Sequence, residues 1–177
     1  MKKRLGIVAT IILISPATAC AMSHNDAQTL LREAMLGDAS ALSALKSSAK
    51  SGDARAEYYL GIAYDSGQGV PQNYAKAAYW YQKAAQQGFA EAENNLGNAY
   101  YSGQGVPQNY AKGVYWFQKA AQQGYARAEY NLGVAYYHGH GVPQNSLEAL
   151  HWLKKAANQN LPGAQNFIQS IERGSAG

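Results

Sequence analysis

Five kinds of residue in this 177-residue chain have types and spacings that could do chemistry. Glu57, Glu93 and Glu129 recur every 36 residues and could be taken for acid-base carboxylates. His138 and His140 bracket Gly139, with His151 following, and imidazoles are the donors zinc favours. Trp80, Trp116 and Trp152 form a second 36-residue ladder, of a kind that can stack on sugars or line a pocket. GQGVPQN starts at Gly67 and Gly103, with GHGVPQN at Gly139, and glycine-rich loops can cradle phosphate. Cys20 is the single thiol of the sequence.

Each of these has a plainer explanation. Equivalent positions in a stack lie a whole repeat apart, too far for two glutamates to share a proton, so Glu57, Glu93 and Glu129 read as a solvated or ion-paired ridge. No carboxylate or cysteine at fixed spacing completes a ligand set around the histidines, which read as loop residues. Each tryptophan falls centrally in an apolar stripe and reads as core. The glycine-rich segments follow helical patterns rather than a strand, and the sequence holds no nucleophile elbow, second cysteine or H-E-x-x-H pair. We expect no catalytic residue, no metal and no cofactor, hence no enzyme.

The elements behind these residues come in pairs. In the first helix of each unit Ala56, Leu60, Ala63 and Tyr64 make an apolar stripe at i, i+4, i+7 and i+8. Ala92, Leu96, Ala99 and Tyr100 repeat it, as do Ala128, Leu132, Ala135 and Tyr136. The second helix carries Ala77, Trp80, Tyr81, Ala84 and Ala85, with copies from Gly113 and Ala149. Asn73, Asn109 and Asn145 stand as N-caps before it, and Gly88, Gly124 and Asn160 stand after it, where a left-handed residue is wanted. Gly61, Gly97 and Gly133 interrupt the first helix at about 1 kcal/mol each relative to Ala, which calls for close approach of the paired helix. Val70, with its copies before Pro107 and Pro143, should tuck inward.

The motifs A-x-x-x-L-G-x-x-Y, G-x-G-V-P-Q-N and K-A-x-x-W-Y-x-K-A-A-x-x-G, over Ala56 to Gly163, resemble the Sel-1-like repeat, a relative of the tetratricopeptide repeat. The resemblance implies an all-α fold, an α/α right-handed superhelical solenoid of antiparallel helix pairs. We divide the chain into a signal peptide (1–21), a degenerate N-terminal capping helix pair (24–52), three repeats (53–88, 89–124, 125–160) and a C-terminal capping helix (161–173). The capping pair joins at Gly37-Asp38, and the last helix carries Ala164, Phe167, Ile168 and Ile171.

Positions that vary between otherwise identical units carry recognition in a solenoid. They gather on a first-helix face that, by the resemblance, lines the concave groove. That face holds Arg55, Tyr58, Tyr59, Ile62 and Ser66; then Glu91, Asn94, Asn95, Asn98 and Ser102; then Arg127, Tyr130, Asn131, Val134 and His138. Asn can hold a peptide backbone through paired donor and acceptor, or merely solvate its helix, while Tyr and Arg are favoured anchors. The expected role is a scaffold that binds a protein or peptide partner, in envelope assembly or host contact. The alternative is a secreted cell-wall hydrolase or a peptidoglycan or β-lactam binder, since some proteins resembling this family are linked to those ligands.

Lys2, Lys3 and Arg4 precede the apolar run Leu5 to Ile14, too short to span a bilayer comfortably, in the manner of a secretory signal. Cleavage suits either Ala19 or Ala21. Ala17-Thr18-Ala19-Cys20 also resembles a bacterial lipobox, though Ala17 stands where that motif prefers Leu, which counts against acylation of Cys20. We expect an exported protein, periplasmic or secreted, alternatively an outer-membrane lipoprotein, with membrane attachment if Cys20 is acylated. Of 15 basic side chains, loss of those three leaves 12 against 11 acidic ones, a balance that argues against nucleic acid. Tyr79 and Tyr115 fall on the outer side, and a monomer is expected.

Overall fold

The computed structural model describes residues 24–174, so the segment read as a signal peptide and Cys20 lie outside the described residues. The described chain is helical throughout: α1 (His24–Met35), α2 (Ala39–Lys50), α3 (Ala54–Ser66), α4 (Tyr74–Gln86), α5 (Ala90–Ser102), α6 (Tyr110–Gln122), α7 (Ala126–His138), α8 (Ser146–Asn158) and α9 (Ala164–Gly174). Helices α3/α4, α5/α6 and α7/α8 pair within repeats, and α4/α5 and α6/α7 pack between them, giving an α/α solenoid. No described helix is long and apolar enough to cross a membrane.

The helix boundaries follow local chemistry. Asn73, Asn109 and Asn145 sit in extended conformation and accept from backbone N–H groups in the first turns of α4, α6 and α8. Asp53 caps α3 in the same way, whereas Phe89 and Tyr125 precede α5 and α7 with no side-chain cap. Phe89 packs instead, its ring 5.1 Å from that of Tyr58. Gly88 and Gly124 have φ of 81° and 80°, and Asn160 takes 59° at the same place, as the exchange of Gly for Asn requires.

The VPQN segment between paired helices is structural. Gln72, Gln108 and Gln144 donate to the carbonyls of Asp65, Tyr101 and Tyr137 at 2.8, 3.0 and 2.8 Å. Asn73, Asn109 and Asn145 send their own N–H groups to the Tyr64, Tyr100 and Tyr136 carbonyls at 2.8, 2.8 and 2.9 Å. These bonds satisfy acceptors that the first helix leaves open at its end. Gly105 and Gly141 lie so close to the backbone of Tyr74 and Tyr110 that a Cβ would come within 2.2 and 2.5 Å of it.

Leu60, Leu96 and Leu132 are at most 1% exposed, each contributing on the order of 2 kcal/mol of apolar burial. A Cβ on Gly61, Gly97 or Gly133 would fall 2.6, 2.6 or 2.7 Å from Tyr81, Phe117 or Leu153, which is why the first helix carries glycine there. Val70 is buried, while Val106 and Val142 are half-buried.

Two expectations need correction. Glu57, Glu93 and Glu129, read as solvated or ion-paired, are not solvated, all three being at most 1% exposed, while the ion-paired reading holds for Glu57 and Glu129. Gln87, Gln123 and Gln159 donate to them at 2.8, 2.7 and 2.9 Å, with Lys83 pairing with Glu57 at 3.3 Å and Lys155 with Glu129 at 3.6 Å. Each bond ties a first helix to the end of the second helix of its own repeat, and satisfaction by these donors is what permits the burial. Trp80, Trp116 and Trp152 are half-buried rather than core. One side of each packs on the core clusters, and Lys83, Lys119 and Lys155 stand 5.7, 5.3 and 4.4 Å from the ring centroids. The ring therefore closes the rim of the interface.

Candidate functional site

The variable first-helix face is a graded surface. Tyr59 is 5% exposed, packed with Leu31 of α1 in the first core cluster, and Asn94 is 2% exposed. These two residues shape the face from beneath. Arg55, Tyr58, Ile62, Glu91, Asn95, Tyr130, Asn131 and Val134 are half-buried, and Asn98, Arg127 and His138 are exposed.

At the end where the first helices begin, Tyr58, Glu91, Tyr125 and Arg127 are neighbours. Burial pushes the Tyr58 hydroxyl well above the ordinary phenol range, with the Tyr125 and Glu91 charges adding to it and Arg127 opposing. Burial also raises Tyr125, with Arg127 working against it. Both hydroxyls therefore stay protonated and able to donate.

At the middle, an amide network crosses repeats. Asn131 donates to Asn94 at 2.9 Å and to Asn98 at 3.2 Å, while Asn94 donates to Asn95 at 3.2 Å. Asn94 is thus neither solvated nor free to hold a peptide, because its polar atoms serve the network. Asn98 keeps exposed surface, and each remaining amide offers capacity for a further bond.

Two recesses flank the network. A groove of about 540 Å³ between α1 and α3 is lined by Leu31, Arg32, Met35, Tyr59 and Ile62 among others. A smaller cleft of about 190 Å³ lies between the first two repeats, where Asp65 and Tyr81 meet Asn95 and Asn98. Asp65 and Tyr81 were not among the candidates read from the sequence. Tyr81 looked like core, which its backbone position is, and Asp65 shows a signal in being the acidic member of the set Asp65, Tyr101 and Tyr137.

His140 serves the second interface: its Nδ1 lies 2.9 Å from the Tyr101 hydroxyl, and its ring stacks 4.7 Å from that of Tyr110. His138 stacks 5.5 Å from His140 and is T-shaped against Tyr137. Among the described residues no group of three His, Cys, Asp or Glu is placed to hold a metal ion.

The Sel1 repeat family model matches residues 54–89, 90–125 and 126–161, more than half of the chain. A protective antigen of uropathogenic Escherichia coli strains, displaying an SLR fold, is 37% identical over 77% of this chain and 31% of its own, with a TM-score of 0.71. A Sel1 repeat protein from Oxalobacter formigenes is 34% identical over 82% of this chain and 59% of its own, with a TM-score of 0.74. Helicobacter pylori cysteine rich protein B, at 18% identity, covers 82% of this chain and 97% of its own with a TM-score of 0.55, a likeness of fold alone. The chain spans about a third and about three fifths of the first two structures. No curated protein matches the chain. Sel1 repeat proteins are generally non-enzymatic scaffolds that mediate protein–protein interaction, and the hydrolase alternative gains no support from these matches. Three consecutive matching repeats, carried on the helix-pair solenoid, make this chain a member of the Sel1 repeat family.

Proposed function

We propose that the chain is an exported bacterial scaffold that binds a protein or peptide partner along the face of α3, α5 and α7, in envelope assembly or host contact. One observation carries this reading: within the first helices of a near-identical frame, the differing positions share one face. Most of them, including Asn98, Arg127, Tyr130 and Asn131, keep solvent-accessible surface. Stacking residues such as Leu60, Leu96 and Leu132 do not vary and are buried. Asn98 and Asn131 can bond a main chain without regard to its sequence, while Tyr58, Tyr130 and Arg127 supply anchors.

Replacing Asn95, Asn98 and Tyr130 together by Ala should leave the helical spectrum intact and abolish capture of peptides selected from a random library on the wild-type chain. Unchanged capture would refute the face. Export is tested separately by the mass of the mature N-terminus isolated from native cells. A start at Cys20 carrying acyl chains means an anchored scaffold, an unmodified start beyond Ala19 or Ala21 means a soluble one, and an uncleaved chain overturns export.

A further inference from the structure

The cleft between the first and second repeats differs from its copy one repeat later. Its polar lining is Asp65, Tyr74, Tyr81, Asn95, Asn98 and Gln104, around about 190 Å³. That volume holds the end of a long side chain with a few waters, each taking roughly 30 Å³. One repeat on, the places of Asp65, Tyr74, Tyr81 and Gln104 are taken by Tyr101, Tyr110, Phe117 and His140. There Tyr101 occupies the space, its ring 4.8 Å from Tyr110 and 5.8 Å from Phe117, its hydroxyl on His140 at 2.9 Å. Asp65 is too short to do the same, so the first interface stays open.

Two features indicate what would fill it. Tyr81 is 3% exposed, and its buried hydroxyl makes no hydrogen bond of good geometry, only weaker polar interactions with the Asp65 and Asn95 side chains beside it. Buried hydroxyls are satisfied in nearly all folded proteins, so one lining a cleft without a well-formed bond marks a place for a polar ligand. Asp65, partly desolvated, has the Tyr81 hydroxyl beside it and takes no part in the Lys83–Glu57 or Lys155–Glu129 ion pair. The lining holds one carboxylate and no basic side chain, so it favours a cation bearing N–H donors.

We propose that this cleft receives one basic side chain, the ammonium of a lysine or the guanidinium of an arginine, presented by the bound partner. Asp65 is its counter-ion, and the Tyr81 hydroxyl and the Asn98 carbonyl are its neutral acceptors. The inference rests on the partner-binding reading and adds to it a register: an extended partner laid along the first helices is pinned at one point, because the equivalent space at the next interface is filled by Tyr101.

The test uses the full chain and defined probes. N-acetyl-lysine methylamide and N-acetyl-arginine methylamide are titrated with NMR detection of the Asn95, Asn98 and Gln104 side-chain amides, with N-acetyl-norleucine methylamide as the uncharged control. Basic probes should perturb these amides, lysine and arginine being ranked by affinity, and Asp65→Asn should weaken them about tenfold or more. Asp65→Tyr, which installs the residue found at position 101, should abolish the response with the helical circular dichroism unchanged. Basic probes binding no better than norleucine, or indifferent to Asp65→Asn, overturn the recess. In parallel, random nonapeptides are selected on the wild-type chain, where one position should enrich in Lys or Arg and lose that preference with Asp65→Asn. Selected peptides without a basic preference overturn the recess and leave the partner-binding face standing. No selected peptide, with basic probes still bound at Asp65, overturns the face and leaves a small-cation site.

Discussion

Gln123 donates a 2.7 Å hydrogen bond to Glu93, thirty positions earlier in the chain, and the same bond recurs from Gln87 to Glu57 and from Gln159 to Glu129. It fastens the end of each second helix to the start of its first-helix partner around a carboxylate that water does not reach. Gln123→Ala strips Glu93 of that donor and should lower unfolding free energy by about 1–3 kcal/mol. Urea denaturation checks this, and a loss below about 0.3 kcal/mol would mean that Lys119 or water replaces the glutamine.

The same carboxylate gives a pH signature. Burial raises the Glu93 pKa above its ordinary 4.5, with Lys119 and Gln123 working in the other direction. The stability it contributes is therefore full below the unfolded value and is lost as pH rises through the folded one. Compared with neutral Glu93→Gln, the wild type should be relatively more stable near pH 4 than at pH 7 (about the range bracketing carboxylate titration). Denaturation midpoints of both proteins at the two pH values decide it, and a gap that widens with rising pH in favour of the wild type contradicts it.

Gly97 and Gly88 should respond in opposite ways. A Cβ at Gly97 would lie 2.6 Å from the Phe117 ring, so Gly97→Ala should cost about 1–3 kcal/mol despite the better helix propensity of alanine. A Cβ at Gly88 meets nothing within 4 Å, and the third repeat already carries Asn160 at the same place with positive φ. Gly88→Asn should therefore change stability by less than about 0.5 kcal/mol. Thermal melts of the two variants separate crowding from backbone conformation.

Phe117 and Trp116 are adjacent in sequence and unequal in burial, Phe117 being 1% exposed and Trp116 half-buried. Phe117→Ala should cost about 3–5 kcal/mol. Trp116→Ala, which loses a rim contact and the Lys119 cation above it, should cost less than half of that, roughly 1–2 kcal/mol. Equal losses would place the tryptophan in the core after all.

His140→Gln installs the residue found at position 104 and removes both the stack on Tyr110 and the hydrogen bond between the imidazole and Tyr101. A loss of about 0.5–1.5 kcal/mol is expected in urea denaturation. A gain in stability would show that the tyrosine-lined interface does not depend on the imidazole.

The repeat frame was legible in the residues themselves because its determinants are local. Asn73 caps the helix it immediately precedes, Gly88 and Asn160 supply the left-handed turn where they stand, and the Leu60 stripe follows from helical period alone. Tertiary structure decided the fate of every polar group on those helices. Glu57 lies beside Ala56 and reads as exposed by spacing, yet it is buried because Gln87, thirty residues away, arrives to satisfy it. Asn94 has the character of a peptide-binding amide, but Asn131 of the next repeat claims it. Asp65 is visible in the sequence as a departure from Tyr101, but whether a shorter side chain leaves a void or lets its neighbours close in depends on how Tyr81, Asn95 and Asn98 pack around it. Period and capping are properties of one helix; burial, satisfaction and empty space belong to contacts between helices distant in the chain, and those are set when the repeats stack.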